Sequence, residues 1–366
     1  MLSIEDISSL ENKVALVRVD FNVESPKDSL RIKKIIPTIN LLLQKGAKVL
    51  LISHRGRPVP GDKINKDTTL KVIVSPLEKN LGQPVHFIPE FKIEEIKKTI
   101  QERDEKVFLL ENLRLLVGEK ENSDELAKQY ASLADIYVND AFAVCHRREA
   151  SLVAITKFLP AYTGVLLLEE ITNLDRAINS PNKPLVIVLG GGKAPEKFAV
   201  IKSLYNQVDK FLIGGVLGNT FLKASGMQVE DSVVDNSLIE EVTPYLKDEK
   251  IEISSDWIYD EHKRIYDIGP ITITRFSMIL KEAKTIIWSG PLGFFEDKRY
   301  REGSDKIANA ISSNKNAFSL VGGGETTQLI LENKMEDEFS FLSTGGGAML
   351  SYLGKKEMPA INALNQ

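Results

Sequence analysis

Four glycine clusters in the second half of the chain constrain its fold more than any other feature. They lie at residues 190–193, 214–218, 322–325 and 345–347, and each follows or adjoins a short apolar run. Of the 24 glycines, five come before residue 161 and 19 after it. A strand that turns on glycine into a helix presents backbone N–H groups beside the positive end of the helix dipole. The clusters therefore predict strand–turn–helix units whose turns suit phosphate groups.

Apolar, β-branched runs alternate with helical patterns in both halves, which predicts α/β folding with parallel sheets. Pro195 is expected at the start of one helix, and Asn122 with Glu125 resembles the capping box of another. Residues 164–178 predict a helix that is the candidate connector between two domains. The predicted strands are residues 14–19, 48–53, 107–110, 135–138, 185–189, 210–213, 285–288 and 317–321.

Length and charge indicate two domains with different binding tasks. The 366 residues correspond to about two domains. Residues 1–160 carry a net charge of +2 and residues 161–366 a net charge of −6, which together give −4. The balance of 47 Lys and Arg against 51 Asp and Glu does not favour a nucleic-acid binder. Apolar runs are too short for a membrane helix, and the single cysteine, Cys145, favours a reducing cytoplasm.

The familiar nucleotide motifs do not fit. The sequence has no G-x-x-x-x-G-K-[ST], and Pro195 and Thr327 stand where a dinucleotide fingerprint needs its third glycine. Lys193 and Lys197 lie four residues apart, at the predicted start of the Pro195 helix. Cations at a helix N-terminus oppose the dipole, so the pair indicates a bound anion. A solvated pair of surface lysines is the alternative.

Charged residues of the first half follow predicted strands, where α/β proteins place their ligands. Arginine forks bind carboxylate and phosphate oxygens, so several of them indicate a small, multiply charged anion. Single histidines are more often structural than catalytic, and Cys145 is expected to be an inert buried thiol. Arg31 is expected just before a helix. The candidates are Asp20, Asn22, Arg31, His54, Arg57, Arg114, His146 and Arg147.

From end to end, the chain resembles the phosphoglycerate kinase family. Ten segments carry the resemblance, and they follow one another in the family's order. They are Val17-Arg-Val-Asp-Phe-Asn-Val23, Arg31-Ile…Ile36-Pro-Thr-Ile39, Ser53-His-Arg-Gly-Arg-Pro58, Leu109-Leu-Glu-Asn-Leu-Arg114, Tyr137-Val-Asn-Asp-Ala-Phe142 with His146-Arg147, Leu189-Gly-Gly-Gly-Lys193 with Lys197, Asp267-Ile-Gly-Pro270, Trp288-Ser-Gly-Pro-Leu-Gly-Phe-Phe-Glu296, Gly322-Gly-Gly-Glu-Thr326 and Ser343-Thr-Gly-Gly-Gly-Ala348.

The resemblance implies two Rossmann-like α/β domains joined by a helix, with an inter-domain cleft. Residues 1–163 would bind 3-phosphoglycerate or 1,3-bisphosphoglycerate, residues 164–179 would form the connecting helix, and residues 180–354 would bind ADP or ATP with Mg²⁺. The tail, residues 355–366, would pack back on the first domain. The reaction implied is in-line phosphoryl transfer between 1,3-bisphosphoglycerate and ADP in glycolysis and gluconeogenesis, by a monomeric enzyme whose domains bend at a hinge.

The family's site residues carry over by position. Arg31 would also reach the transferring phosphoryl group, which Lys197 would follow, and Lys193 would hold nucleotide phosphates. Glu296 would take the ribose hydroxyls, and Glu325 occupies the metal-ligand position. The substrate ligands would be Asp20, Asn22, Arg31, His54, Arg57, Arg114 and Arg147, and the nucleotide site would further include Gly190, Gly191, Gly192, Gly322, Gly323, Gly324 and Thr326.

Four positions depart from the family's pattern. Glu325 replaces the usual aspartate, and its extra methylene moves the carboxylate about 1.5 Å outward. Mg²⁺ demands near-ideal geometry, so Mn²⁺ is a second candidate metal. Ser289 replaces the usual asparagine, Gly192 the usual alanine, and residues 143–145 differ from the usual small residues.

These changes spare the substrate-side positions and both lysines, so we predict an active enzyme. A non-catalytic phosphoglycerate-binding or scaffold relative is the main alternative. A kinase for a different carboxylate is another.

Overall fold

The computed structural model describes residues 1–23 and 29–365. Residues 24–28 of the predicted first domain and Gln366 of the predicted tail lie outside the described residues. The chain divides into two compact units, Met1–Ile171 with Glu357–Gln366 and Thr172–Lys356.

The first unit contains a six-stranded sheet in the order β3-β4-β2-β1-β5-β6, and every neighbouring pair is parallel. Helices connect most of its strands, as parallel pairing requires. Its elements are β1 Val14–Arg18, α1 Leu30–Gln44, β2 Lys48–Ile52, α2 Val74–Leu81, β3 Val85–Ile88, α3 Ile93–Glu102, β4 Val107–Leu110, α4 Asp124–Ala131, β5 Ile136–Asn139, β6 Ala161–Thr163 and the first turns of α5 Val165–Asn179. The C-terminal helix α13, Pro359–Ala363, also belongs to this unit.

The second unit contains a six-stranded parallel sheet in the order β14-β13-β12-β7-β8-β9 and an antiparallel hairpin of β10 and β11. Its elements are β7 Leu185–Leu189, α6 Ala194–Leu204, β8 Lys210–Ile213, α7 Gly215–Ala224, α8 Ile239–Val242, β9 Ile251–Ile253, β10 Trp257–Tyr259, β11 Ile265–Ile268, α9 Pro270–Glu282, β12 Thr285–Ser289, α10 Glu302–Ser313, β13 Phe318–Gly322, α11 Gly324–Glu332, β14 Phe341–Leu342 and α12 Gly346–Leu353.

Short 3₁₀ turns complete both units. They lie at Ile4–Asp6, Lys71–Ile73, Leu113–Leu115, Phe142–Val144, Ala154–Lys157, Asn236–Leu238, Thr243–Tyr245, Lys298–Tyr300 and Glu336–Glu338.

The central strands are buried on both faces, which explains their continuous apolar sequence. All five residues of β7 and of β12 are buried. Phe21, Ile35 and Leu51 belong to the core of the first unit, and Phe198 and Trp288 are fully buried in the second. Each such side chain contributes about 1.5–3 kcal/mol relative to exposure. The predicted α/β fold with two parallel sheets is confirmed.

One predicted helix start is wrong. Asn122 does not cap α4: its side chain accepts a hydrogen bond from the Ala154 backbone at 3.0 Å, and its own φ is +56°. Ser123 caps the helix instead and accepts from Leu126 N at 3.4 Å. A tertiary contact therefore decides between two neighbouring residues that both suit a cap.

Helix α5 contains the boundary between the two units, which falls between Ile171 and Thr172. Its N-terminus is held by the first unit, because Thr38 Oγ1 and Asp140 Oδ1 accept from Val165 N at 2.9 Å and Leu167 N at 2.8 Å. In the tail, Ala360 N donates to the Cys145 carbonyl at 3.2 Å. Among the described residues, every helix is too short or too polar to cross a lipid bilayer.

Candidate active site

The first unit gathers its charged candidates at the carboxyl edge of its sheet. Asp20 follows β1, His54 follows β2, Arg114 follows β4 and Arg147 follows β5. These strands are neighbours in the order β4-β2-β1-β5, so their carboxyl ends meet. Direct contacts also join His54 to Asp20 and to Arg147. Four of the charged candidates from the sequence therefore come together at one edge of one sheet.

Asp20 and Arg31 form an ion pair beside this edge of the sheet. Arg31 Nη1 lies 2.8 Å from Asp20 Oδ2 and donates to the Asn22 carbonyl at 2.9 Å. Asn22 in turn accepts from Gly56 N at 2.8 Å through Oδ1. The sequence predicted Arg31 just before α1, and this is wrong. Arg31 lies in the first turn of α1, because the helix already begins at Leu30. The helix backbone thus fixes the position from which Arg31 reaches the site.

His54 lies at the centre of the cluster and is buried. Its Nδ1 is 3.2 Å from Arg18 Nη2, and its Nε2 is 3.4 Å from Arg147 Nη1. Burial first, and then the surrounding arginines, hold the pKa of His54 well below its ordinary value of 6.5. The ring is therefore neutral at pH 7 and adds no charge to the cluster.

The candidate Arg57 and the thiol of Cys145 differ in their surroundings. Arg57 is exposed, on the loop that leaves the site after His54. Cys145 is buried, and burial raises the pKa of its thiol to about 12. The expectation of an inert thiol therefore agrees with its environment.

The sequence interpretation missed Arg18 and Glu149. Arg18, the last residue of β1, is fully buried, donates to Ser151 Oγ at 2.9 Å and lies 3.5 Å from Glu149 Oε2. A charged residue ending an apolar strand is a usable signal for Arg18. Glu149 offers no such signal, because two of the three arginines that it contacts, Arg18 and Arg114, are distant in sequence.

The second unit places its glycine turns at the carboxyl edge of its own sheet. Strands β7, β8, β13 and β14 each run through glycine into the helix that follows, as the clusters predict. A cavity of about 200 Å³ lies among these turns, between the N-termini of α6, α11 and α12. Its lining consists of Gly192, Lys193, Lys197, Ser289, Gly290, Gly323, Gly324, Glu325, Thr326, Gly346, Gly347 and Leu350. Three helix N-termini and two lysines make it a strong anion cradle.

Lys193 and Lys197 both line this cradle. Lys193 has a φ of +54° at the start of α6, and Lys197 lies in the first turn of that helix. Lys197 is only 4% exposed, and its ammonium donates to the Gly192 carbonyl. Burial lowers the pKa of Lys197 to about 8; Glu325 opposes this fall and Lys193 adds to it. A buried ammonium beside a second lysine suits an anionic binding partner.

The backbones after β7 and β12 cross so closely that only glycine fits. A Cβ on Gly190 would lie 2.1 Å from the Pro291 carbonyl oxygen, and one on Gly290 would lie 2.0 Å from the Gly190 oxygen. Gly190 therefore shapes the cradle without lining it. Gly322 also lies outside the lining: it ends β13, and a Cβ there would meet Met349 Sδ at 2.5 Å. These two predicted ligands serve packing in the structure.

A second, more apolar cavity of about 320 Å³ adjoins the cradle in the same unit. Gly192 and Glu325 line both cavities, and predicted Gly191 and Glu296 line the second. Its walls also include Asn219, Tyr266, Asp267, Leu292 and Phe294. An apolar cavity beside an anion cradle suits a nucleotide. These five residues come from distant segments, so the sequence interpretation did not identify them as cavity residues.

Glu325 and Thr326 open α11 at the cradle. Glu325 is exposed, and its Oε2 lies 2.8 Å from where a Cβ on Gly191 would be. Thr326 is buried and accepts from Gly290 N at 2.7 Å through its hydroxyl. Among the described residues, no cluster of three His, Cys, Asp or Glu could hold a metal alone. One exposed carboxylate beside an anion cradle is instead an arrangement that suits a nucleotide-bound Mg²⁺.

Two α/β units with parallel sheets, one carrying an arginine cluster and the other a lysine-lined cradle, fit the class of a phosphotransferase. Comparison with known proteins makes the assignment specific. The profile of the phosphoglycerate kinase family matches residues 4–356. The chain belongs to the phosphoglycerate kinase family.

Named relatives and solved structures cover the whole length. The phosphoglycerate kinase of Dictyoglomus turgidum is 40% identical over 383 residues, covering 97% of this chain and 96% of its own. That of Fervidobacterium nodosum is 38% identical and covers 99% and 98%. The structure of phosphoglycerate kinase from Coxiella burnetii matches with a TM-score of 0.84 at 33% identity, covering 100% of this chain and 99% of its own. That from Pyrococcus horikoshii matches with a TM-score of 0.88 at 29% identity, covering 100% and 98%.

Proposed function

We propose that this chain is an active phosphoglycerate kinase that interconverts 1,3-bisphosphoglycerate and ADP with 3-phosphoglycerate and ATP. Family membership along the whole chain supports this activity. The observation that carries the mechanism is the presence of an arginine cluster on one unit and a lysine-lined cradle on the other. Each substrate then has its own unit. The comparisons give no support to the non-catalytic alternative.

The first unit would bind phosphoglycerate through the predicted substrate residues. Arg114 and Arg147 would supply guanidinium donors for the phosphate that is not transferred, and neutral His54 lies between Arg147 and Arg18. Arg31, held by Asp20, would turn toward the carboxyl end and the transferring group. Arg57 would reach in from its exposed loop. Arginine forks match phosphate oxygens in pairs, which favours this assignment.

The second unit would bind the nucleotide. Its apolar cavity suits the base, Glu296 lies where it can accept from ribose hydroxyls, and the cradle suits the phosphates. Lys193 and Lys197 would neutralise the β- and γ-phosphates, together with backbone N–H groups after Gly323. Glu325 would hold Mg²⁺ against those phosphates. The bound metal would neutralise phosphate charge as it develops during transfer.

The chain's own residues would position the two substrates and neutralise the charge of the transferring phosphoryl group. A carboxylate oxygen of 3-phosphoglycerate attacks the γ-phosphorus of ATP, forming the acyl phosphate bond as the bond to the ADP oxygen breaks. The attacking carboxylate is already ionised, so no general base is required. Arg31 and Lys197 would stabilise the transferring group from opposite sides. The transfer is direct, without a phosphorylated side chain.

Each substrate would have its own unit, so transfer requires the two bound substrates to meet. We assign residues 1–163 to phosphoglycerate binding, 180–354 to nucleotide binding and 164–179 to the connecting helix, with the tail 355–366 on the first domain. Closure of the cleft around the substrates would exclude water and complete the site. A monomeric state, a place in glycolysis in the cytoplasm, and partners limited to these small molecules complete the proposal.

The test is transfer from Mg²⁺-ATP to 3-phosphoglycerate, with the acyl phosphate trapped by a coupled reaction and Mn²⁺ in a parallel run. Wild-type protein is expected to be active with Mg²⁺. Activity with Mn²⁺ but not with Mg²⁺ would indicate that glutamate at position 325 changes the metal preference. Lys197→Ala is expected to abolish transfer while the protein stays folded. A folded wild type that is silent with both metals would overturn the proposal, and activity on another carboxylate in its place would redirect it.

A further inference from the structure

Beneath the arginine cluster of the first unit, one buried carboxylate contacts three arginines. Glu149 Oε1 lies 3.2 Å from Arg114 Nη2 and 3.6 Å from Arg147 Nη1. Its Oε2 lies 3.5 Å from Arg18 Nη2. Glu149 is 4% exposed, so the carboxylate is shielded from water. Within the described part of the chain, it is the one carboxylate that ion-pairs with all three guanidinium groups.

This carboxylate balances only part of the local charge. Three guanidinium groups and one carboxylate leave a net charge of +2, to which the neutral His54 adds nothing. Like charges brought together in a buried setting repel strongly unless a counter-ion lies between them. Glu149 therefore allows the arginines to converge while the cluster stays attractive to a multiply charged anion.

The contacts of Arg114 show how far the cluster is prepared for a ligand. Its Nη1 donates to the Gly56 carbonyl at 2.8 Å, and its Nη2 contacts Glu149. Its Nε is buried and has no acceptor among the described residues. Arg147 is 32% exposed and also reaches His54 Nε2. The guanidinium of Arg114 is thus held at both Nη atoms by the protein itself, before any anion binds.

We propose that Glu149 is a positioning residue for phosphoglycerate, one that holds Arg114 and Arg147 in their binding orientation before the substrate arrives. It acts through the arginines and does not contact the substrate itself. This inference rests on the proposed function, since it takes the arginine cluster as the phosphoglycerate site.

Removing the carboxylate would have two opposite effects. It would raise the positive charge of the site, which favours an anion, and it would let the arginines repel one another. Arg147 already reaches solvent, so repulsion would move it outward. Extra charge strengthens binding only while the guanidinium groups stay in place, so we expect the loss of orientation to dominate and the substrate to bind more weakly.

The test compares Glu149→Gln and Glu149→Asp with the wild type, by steady-state kinetics and by calorimetric titration with 3-phosphoglycerate. Glu149→Gln removes the charge and keeps the shape. Glutamine can still accept a hydrogen bond, but not a charge-assisted one, which is roughly twice as strong. The KM and Kd for 3-phosphoglycerate should therefore rise about tenfold. The KM for Mg²⁺-ATP should stay within about twofold. Glu149→Asp keeps the charge and should be intermediate.

Glu357→Gln is the matched control. Glu357 pairs with Arg148, the residue between Arg147 and Glu149, but both partners are 58% exposed. Its removal should leave both KM values unchanged, because exposed pairs contribute little.

An unchanged or lower KM for 3-phosphoglycerate in Glu149→Gln would overturn the inference. So would an equal loss toward both substrates, which indicates general damage. If Glu149→Gln does not fold, Glu149→Asp decides: wild-type affinity for 3-phosphoglycerate there would contradict a positioning role that depends on reach. An inactive, folded wild type would instead refute the proposed function itself.

Discussion

Replacing Lys197 by methionine should stabilise the ligand-free second unit while it destroys activity. The pKa of Lys197 falls from 10.5 to about 8 because the ammonium is buried. One pKa unit corresponds to about 1.4 kcal/mol, so this fall lowers the free energy of unfolding by about 3 kcal/mol below pH 8. Methionine removes that cost but loses the hydrogen bond from the charged ammonium to the Gly192 carbonyl, about 2 kcal/mol. The expected net gain is about 1 kcal/mol.

The sign of the pH dependence follows from linkage. Between pH 8 and 10.5 the unfolded lysine still binds a proton that the folded one has released, so wild-type stability rises with pH in this window. The advantage of Lys197→Met should therefore be full at pH 7 and should shrink as the pH passes 8. An ordinary packing improvement would be independent of pH.

Urea unfolding of the ligand-free protein measures this gain. Tryptophan fluorescence is well suited, because both tryptophans, Trp257 and Trp288, lie in the second unit with Lys197. Lys202→Met is the control: it changes an exposed lysine of the same helix, paired with Glu241. Lower stability of Lys197→Met at pH 7, or a gain that does not shrink toward pH 10, would refute the electrostatic reasoning.

Three further predictions test other parts of the site. Glu325→Gln should raise the Mg²⁺ concentration for half-maximal activity by about tenfold or more, since it removes a charged ligand; an unchanged Mg²⁺ titration would exclude Glu325 as the ligand. Gly190→Ala should lower the free energy of unfolding by about 3 kcal/mol or more, because its Cβ would overlap the Pro291 oxygen, whereas Gly347→Ala, with nothing within 4 Å, should change urea unfolding little. His54 should remain neutral at pH 6 by NMR, and stability should fall as the pH drops below 6.5, because the unfolded ring takes up a proton that the folded one refuses. A ring that protonates near pH 6.5 would contradict its burial among arginines.

Strands were predictable where apolar runs are continuous. Strands β4, β7 and β8 have the predicted bounds, whereas β12 and β13 each extend one residue further, through Ser289 and Gly322. Serine and glycine are typical of loops, but the parallel pairing of β12 with β13 continues through Ser289 and Gly322. Local pattern therefore located eight of the described strands, and tertiary pairing set their ends. The prediction missed the short strands β3, β6, β9, β10, β11 and β14.

The candidate site was predictable where chemistry lies in consecutive residues. The glycine turns and the lysine pair of α6 are local patterns, and the structure places Lys193 and Lys197 in one cradle. The buried pairing of Arg18 with Glu149 and the apolar cavity with Tyr266 and Phe294 depend on contacts between distant segments. No local signal reports such contacts. The role of Gly190 also became clear only from the backbone that crosses it.

Isotope exchange between ATP and labelled ADP tests the central claim most directly. Direct transfer between two substrates predicts label in ATP only when 3-phosphoglycerate is present, because that carboxylate must carry the phosphoryl group before ADP takes it back. Exchange without 3-phosphoglycerate would reveal a phosphorylated protein and contradict direct transfer. No exchange even with 3-phosphoglycerate and Mg²⁺, in a folded sample, would contradict the kinase activity itself.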